Sequence, residues 1–151
     1  MARFDQNLPP KEFEEKVVQL NRVSKKTAGG NKVGFSALVV IGDKKGRVGA
    51  GLGQATEVQG AIRKAVSHAR SNLVMVTSKG TTIPYEVLAK YGAARVLLRP
   101  APAGSGVIAG GSVRAVVEAA GIRDISAKIL GTNNKANNVY ATIEALKKLK
   151  A

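Results

Sequence analysis

The run VGFSALVVIGD, residues 33–43, constrains the fold of this chain more than any other segment. Apolar residues occupy both of its alternating sets of positions, with Phe35, Ala37, Val39 and Ile41 in one set and Leu38 and Val40 in the other. Alternate residues of a strand point to opposite faces, so both faces of this strand have to be covered. The run therefore predicts a central strand, which the tight turn DKKG, Asp43 to Gly46, then reverses.

The segment RVGAGLG predicts a third strand with one bare face. Gly49, Gly51 and Gly53 recur at every second position, so they share that face. Three glycines on one face indicate that something approaches the backbone closely. It is either a packed element of this protein or a ligand, and the residues alone leave both alternatives open.

The next segment, TEVQGAIRKAVSHARSNLV, predicts an amphipathic helix. Thr56 and Gln59 have the spacing of a capping box. The apolar residues that follow helical spacing on one face are Val58, Ala61, Ile62, Ala65, Val66, Ala69 and Leu73. His68 falls on the cationic face, where we expect a surface or phosphate-contacting role rather than catalysis. The segment KVVQLNRV, which alternates imperfectly, is expected to form the first strand. The pattern of this half of the chain therefore indicates a βββα order.

The second half predicts a ββαβα order. Two short strands are expected around 83–88 and 95–99, and DISAKIL supplies a third. Ser112 is expected to cap the first helix and Gly121 to end it, while Asn137 or Asn138 caps the last one. The inward face of the last helix is expected to carry Val139, Thr142, Ile143, Leu146 and Leu149.

These patterns predict a mixed α/β (α+β) protein of two small domains, residues 1–73 and 74–151. A domain of about 60 residues buries only about 60% of its surface, so each half alone is marginally stable. We therefore expect support from a partner.

The composition excludes several classes of function. The chain has no cysteine and a single histidine, so thiolate and histidine metal clusters are excluded. No pair of carboxylates has a spacing that suggests catalysis, and we predict no catalytic residue, no metal and no cofactor. No apolar run approaches the roughly 20 residues of a membrane span, and no signal sequence is recognisable, so we expect a cytoplasmic protein.

The charge indicates a polyanionic partner. Lys and Arg number 24 against 10 Asp and Glu, a formal net charge of +14 that is spread along the chain. The chain has 3 Phe, 3 Tyr and no Trp, so platforms for stacking unpaired bases are scarce, and structured RNA fits better. An architectural DNA-binding protein would share this charge and remains an alternative.

The glycine-rich segments raise a second alternative, a nucleotide-dependent enzyme. GAGLG lacks the other features of a dinucleotide fingerprint, and GSGVIAGG lacks the Gly-Lys-Ser/Thr ending of a phosphate loop. The second segment precedes a helix, whose N-terminus can hold an anion. A rigid loop that meets a protein or an RNA phosphate fits it better than a nucleotide site.

The segment RVSKKTAGGNK, residues 22–32, predicts a phosphate-binding loop. Its cations are Arg22, Lys25, Lys26 and Lys32, and it contains no carboxylate. Gly29 and Gly30 let the backbone approach closely, and Ser24 and Thr27 can donate hydrogen bonds to phosphate oxygens. In the next turn, Lys44, Lys45 and Arg47 are expected to extend the basic strip.

Five blocks, taken in order, carry a resemblance to a known family: NRVSKKTAGG, FSALVVIGDKKGRVGAGLGQATEV, AIRKA, GSGVIAGGSVRAVVEAAGI and NNVYATIEAL. Over about residues 14–149 the chain resembles bacterial small-subunit ribosomal protein five. The resemblance implies an N-terminal domain similar to the double-stranded-RNA-binding fold without its first helix. It also implies binding to small-subunit ribosomal RNA, a place along the mRNA entry path, contacts with neighbouring ribosomal proteins and an influence on decoding accuracy.

The resemblance also suggests roles for particular residues. Val23 to Gly30 match a basic loop that reaches ribosomal RNA near the spectinomycin site. Gly104, Gly106 and Arg114 lie in the segment that matches a contact with small-subunit ribosomal protein four. Two departures stand out: Lys135 replaces a proline usual in the family, and the usual extension after the last helix is short or missing.

Overall fold

The computed structural model describes residues 14–149, without the side chains of residues 25–27, 31 and 32. Within that range the chain forms eight strands and three helices. In chain order they are β1 (Glu14–Thr27), β2 (Gly30–Gly42), β3 (Arg47–Ala55), α1 (Val58–Ser71), β4 (Val74–Met75), β5 (Val87–Tyr91), β6 (Ala94–Pro100), β7 (Val107–Ile108), α2 (Gly111–Ala120), β8 (Ile125–Ile129) and α3 (Lys135–Lys148). The mixed two-unit fold predicted from the sequence is confirmed.

The first sheet has the antiparallel order β1-β2-β3-β4, so β2 is a central strand as predicted. Its residues 37–41 are at most 1% exposed. Ala37, Val39 and Ile41 pack under α1, while Leu38 and Val40 belong to the core shared with the second unit. Both faces are therefore covered, as the doubly apolar pattern requires.

The bare face of β3 is filled by α1. A β-carbon added to Gly51 would lie 2.6 Å from the backbone nitrogen of Ala69, and one added to Gly49 would lie 2.5 Å from Ala69 O. The helix meets the strand with Ala61, Ala65 and Ala69, each 0% exposed. Small residues on both elements allow this close approach. Of the two alternatives for the glycine face, packing is the correct one.

The second sheet has the order β5-β6-β8-β7, and β7 is parallel to β8. The strand expected around 83–88 begins only at Val87. Further upstream, Lys79 and Thr82 form an isolated bridge, and Thr81 O accepts from Arg123 and Asp124 N–H at 2.9 and 3.0 Å. β7 was not predicted, because two residues show no periodicity.

Several predicted helix caps are wrong. The N-cap of α1 is Glu57 and that of α2 is Gly110, and neither forms a side-chain capping bond within the described residues. Ser112 is buried inside the first turn of α2. Asn134 caps α3 by accepting from Asn137 N–H at 3.2 Å. Cap preferences indicate which residue types can begin a helix. The packing of the helix decides at which of the candidate residues it begins.

The end of α2 agrees with the prediction. Gly121 adopts a left-handed φ of 90°, and the N–H groups of Gly121 and Ile122 bond to Glu118 O and Val117 O at 3.1 and 3.0 Å. The inward residues of α3 are also buried as expected, including Thr142 and Leu146.

The two units share a core. Leu38, Val40, Val48 and Ala50 of the first sheet pack in one cluster with α2, α3 and the second sheet. The turn after β2 also bonds to α2, with Lys44 N–H donating to Ala119 O at 3.0 Å and Gly46 N–H to Ala120 O at 3.1 Å. Each unit thus supplies part of the support that a small domain lacks. The domain division at residue 73 stays a prediction; β4, which follows it, is the fourth strand of the first sheet.

Candidate nucleic-acid interface

The β1–β2 hairpin projects beyond the rest of the first sheet. β3 pairs with β2 only over Phe35–Gly42, so residues 23–34 form a two-stranded extension, which we call the arm. The arm runs from the Val23↔Gly34 pair to the Thr27↔Gly30 pair and is closed by Ala28 and Gly29. At about 3.4 Å per residue, these five pairs reach about 17 Å past the last three-stranded position.

The prediction of a loop over residues 22–32 is wrong, because the segment continues the two strands to their tip. The register imposed by the central strand propagates outward along the ladder and overrides the weak strand preference of Lys, Gly and Asn. Gly30 has a φ of 124°, which favours glycine. No described atom lies within 4 Å of a β-carbon added to Gly29 or Gly30.

The arm lies in a stretch of uniform charge. No Asp or Glu occurs between Glu15 and Asp43. Arg22 at the base of the arm and Ser24 within it are exposed, and Val23 and Val33 are 39% and 38% exposed. The side chains of Lys25, Lys26, Thr27 and Lys32 lie outside the described part of the structure. The backbone register sets Lys25 opposite Lys32, and like charges at opposed positions cost stability unless an anion offsets them.

The second basic segment lies at the opposite end of β2. Lys44, Lys45 and Arg47 follow Gly42, and the tip of the arm precedes Gly30, so the length of a 13-residue strand, about 40 Å, separates them. Lys44 Nζ is 3.1 Å from Glu14 Oε2, and Arg47 Nε is 2.8 Å from Asp43 Oδ2. The basic strip predicted from the sequence is therefore divided into two separate regions. Carboxylates partly neutralise the charge of the second region, that of Lys44, Lys45 and Arg47.

Asp43 holds this turn together. Its Oδ1 accepts from the N–H groups of Lys45 and Arg47 at 2.8 and 3.1 Å. Burial raises the pKa of Asp43, but the hydrogen bonds from Arg47 and from the two N–H groups outweigh it and hold the pKa below its ordinary value. The turn is thus a fixed structural element, docked on α2 by Lys44 and Gly46.

The glycine-rich loop before α2 binds an anion of the protein itself. Asp124, 5% exposed, accepts from Gly106 N–H at 2.9 Å and from Gly104 N–H at 3.1 Å. Hydrogen bonds from Thr81 and from these N–H groups, with the charge of Arg123, hold the pKa of Asp124 below its ordinary value. The sequence analysis did not assign this role to Asp124. Its position just after the glycine helix stop was the one available signal.

Arg114 is exposed one turn into α2. Its Nε lies 2.6 Å from Glu118 Oε1, and both residues line a groove of about 400 Å³ with Lys44 and Arg123. Gly104 is exposed and Gly106 half-buried on the neighbouring loop. Arg114 lies in the first half of α2, whereas Gly104 and Gly106 are held by Asp124, which follows the C-terminal end of that helix.

The polar face of α1 is tied to its own sheet. The imidazole of His68 is exposed, and its Nδ1 lies 2.6 Å from Leu52 O, so Nδ1 carries the proton and donates it. Arg70 lies 4.0 Å from Glu15. Within residues 14–149 no group of three His, Asp or Glu could hold a metal ion, and no helix there is both long and apolar enough to cross a membrane.

Comparison with protein-family models gives two matches. Residues 13–77 match the family described as ribosomal protein S5, N-terminal domain. Residues 89–151 match ribosomal protein S5, C-terminal domain. The two matches follow each other in chain order and together cover most of the chain.

Proposed function

The chain belongs to the ribosomal protein S5 family, and from this premise we propose that its arm is a contact to ribosomal RNA. Members of this family are structural, non-enzymatic components of the small ribosomal subunit, and this chain is accordingly a ribosomal protein that binds ribosomal RNA. The proposal concerns which residues do so: Arg22, Val23, Ser24, Lys25, Lys26, Thr27, Gly29, Gly30 and Lys32.

One observation carries the proposal. A two-stranded extension with which β3 no longer pairs lies within a stretch that has no carboxylate between Glu15 and Asp43. In isolation such an extension gains little from packing and loses stability to charge repulsion. Phosphates would offset the repulsion, and the absence of a β-carbon at Gly29, where no described atom lies within 4 Å of an added one, lets them approach.

Shortening the arm tests this role directly. Deletion of residues 24–27 and 30–33 removes four residue pairs but keeps the Ala28-Gly29 turn, which Val23 and Gly34 then close. Because the number of deleted pairs is even, every remaining side chain stays on the same face of the sheet. We expect the variant to fold, because β3 does not pair with the deleted part of β2 and every residue named in the two core clusters is retained. Its affinity for small-subunit ribosomal RNA should fall at least ten-fold. Unchanged affinity with an intact fold would refute the proposal.

The dependence on salt gives a second measure. Each neutralised phosphate contributes a slope of about 0.7 to 0.9 to the fall of log affinity with log salt. The shortened variant should therefore show a smaller slope than the full chain, by about 2 if the three lysines of the arm each engage one phosphate. A slope that is flat for the full chain would contradict an electrostatic contact.

Further roles follow from the resemblance. We propose that Lys44, Lys45 and Arg47 contact RNA as a separate region, and that Gly104, Gly106 and Arg114 contact ribosomal protein four. The groove that Arg114 and Glu118 line supports a protein contact for Arg114, because it combines both charge signs. A place at the mRNA entry path, an influence on decoding accuracy and a cytoplasmic location belong to the same proposal.

A further inference from the structure

A groove of about 370 Å³ lies at the foot of the arm, where β3 leaves the sheet. The last pair of β3 with β2 is Ala55↔Phe35, and the chain then passes through Thr56 toward α1. The arm continues beyond this pair, so Val33 and Gly34 lack β3 as a neighbour. All five residues line the groove, which is the notch left between the arm and the start of α1.

The walls of this groove carry apolar surface that the protein itself leaves accessible. Its apolar lining is Val23, Val33, Phe35 and Ala55. Val23 and Val33 are 39% and 38% exposed, and Phe35 is half-buried and packs against the cluster under α1. The volume lies in the range of about 300 to 1,000 Å³ that is typical of sites for small ligands. A flat apolar group that fills the groove would remove this surface from water.

The polar groups around the groove suit a nucleotide. Gln54, Thr56 and Lys64 are exposed and complete its lining, in which no described residue is acidic. Arg22 pairs with Phe35 across β1 and β2, so the two side chains share one face of the sheet. The amide of Gln54 can both donate and accept hydrogen bonds, as the edge of a base requires. The cations of Lys64 and Arg22 suit a phosphate.

We infer that this groove holds one unpaired nucleobase of the small-subunit ribosomal RNA. The faces of the base contact Val33 and Phe35, its polar edge meets Gln54, and Lys64 contacts its phosphate. A base inside a duplex is stacked and paired, so this base belongs to a loop or a bulge. An apolar side chain of a neighbouring protein would leave the cations without an opposite charge, whereas a nucleotide supplies both the apolar surface and the anion.

This inference rests on the proposed RNA-binding function but differs from the arm contact in its physical nature. The arm lysines act through charge, whereas Val33 acts through apolar contact, which releases no counterions. Val33→Ser should therefore lower the affinity for small-subunit ribosomal RNA transcripts roughly five-fold, the lower end of the range for base stacking. The slope of log affinity against log salt should stay unchanged.

Val17→Ser is the matched control. It makes the same substitution in the same sheet, at a residue that is 42% exposed and does not line the groove. It should keep the affinity of the wild type, and thermal melts should show both variants folded, since both residues are exposed. Equal RNA affinity of folded Val33→Ser and Val17→Ser would overturn the inference. Gln54→Ala, at another exposed residue, repeats the test and should also lower the affinity.

Chemical modification of unpaired bases, with and without the full chain, identifies the base itself. One base should be protected by the wild type and by Val17→Ser. An abasic nucleotide at that position should lower the affinity of the wild type roughly five-fold and that of Val33→Ser less, because the two changes remove the same contact. No protected base, or equal losses in both proteins, would overturn the inference. So would a Val33→Ser variant that binds RNA normally but fails to assemble with other small-subunit proteins.

The charge variant of the arm separates this inference from the arm proposal. Lys25→Glu combined with Lys26→Glu leaves Val33, Phe35 and Gln54 in place, so at saturating protein it should still protect the base. Its salt slope should be smaller than that of the wild type, whereas Val33→Ser keeps the full slope. Failure of the arm proposal would appear in the salt slope, and failure of this inference in the protected base.

Discussion

Gly51 of β3 lies so close to Ala65 of α1 that a β-carbon on the glycine would collide with the carbonyl oxygen of the alanine. The obstacle is backbone in the middle of a helix, which cannot rotate away as a side chain can. Gly49 and Gly53 make equivalent contacts with Ala69 and Ala61, whose carbonyl oxygens would each lie 2.5 Å from an added β-carbon. The three glycines therefore set the distance between helix and sheet.

Gly51→Ala should destabilise the protein by about 2 kcal/mol or more, because α1 has to shift to admit one methyl group. The free energy of unfolding in urea measures this. Gly29→Ala is the matched control, since no described atom lies within 4 Å of a β-carbon there, and it should change stability by less than about 0.5 kcal/mol. Equal effects of the two substitutions would contradict the packing described.

Asp124→Asn should lower the free energy of unfolding at neutral pH. It should also reduce the dependence of that free energy on pH in acid. The pKa of Asp124 is lowered in the folded state, so the folded protein binds the proton less tightly than the unfolded chain. Its contribution to stability is fully present above the unfolded pKa of about 3.9 and is lost as the pH falls through the lower folded pKa. Wild type should lose stability more steeply than Asp124→Asn below about pH 4.

Unfolding free energies from pH 6 down to pH 2 measure this difference. Asp43 has a lowered pKa as well, so the variant should retain part of the acid dependence. Parallel stability curves for wild type and Asp124→Asn would show that the carboxylate does not hold the loop at Gly104 and Gly106.

Lys25→Glu combined with Lys26→Glu should reduce affinity for small-subunit ribosomal RNA by at least ten-fold while the thermal midpoint changes little. The substitutions reverse the charge of two proposed phosphate contacts, which lowers affinity for a polyanion, whereas single charged side chains contribute little to folding. Lys90→Glu combined with Lys128→Glu makes the same change in net charge at exposed positions of the second sheet. It should weaken binding less. Filter binding and thermal melts of both variants separate a local contact from an effect of total charge.

Arg114→Ala should change stability by no more than about 0.5 kcal/mol. Its partner Glu118 is close, at 2.6 Å, but the two side chains are 55% and 42% exposed, and such pairs contribute little to folding. If Arg114 contacts ribosomal protein four as proposed, the same variant should reduce its incorporation together with that protein into reconstituted small subunits. Normal joint incorporation would remove Arg114 from the proposed contact.

The sequence alone predicted the features that depend on neighbouring residues. The central position of β2, the amphipathic helices, the Gly121 stop and the excess of positive charge all follow from alternation, helical spacing or composition. It also showed that something must cover the glycine face of β3. These properties can be predicted without the tertiary structure, because they depend on the local geometry of the backbone and on the order of neighbouring residues.

The tertiary structure decided which element covers the glycine face of β3. It also decided the helix caps and the hairpin form of the basic segment. The same holds for the docking of the Lys44 turn on α2 and the capture of the glycine-rich loop by Asp124. In each case the deciding partner is distant along the chain or belongs to another element. Which donor meets which acceptor depends on how the elements pack, and neither composition nor periodicity contains that information.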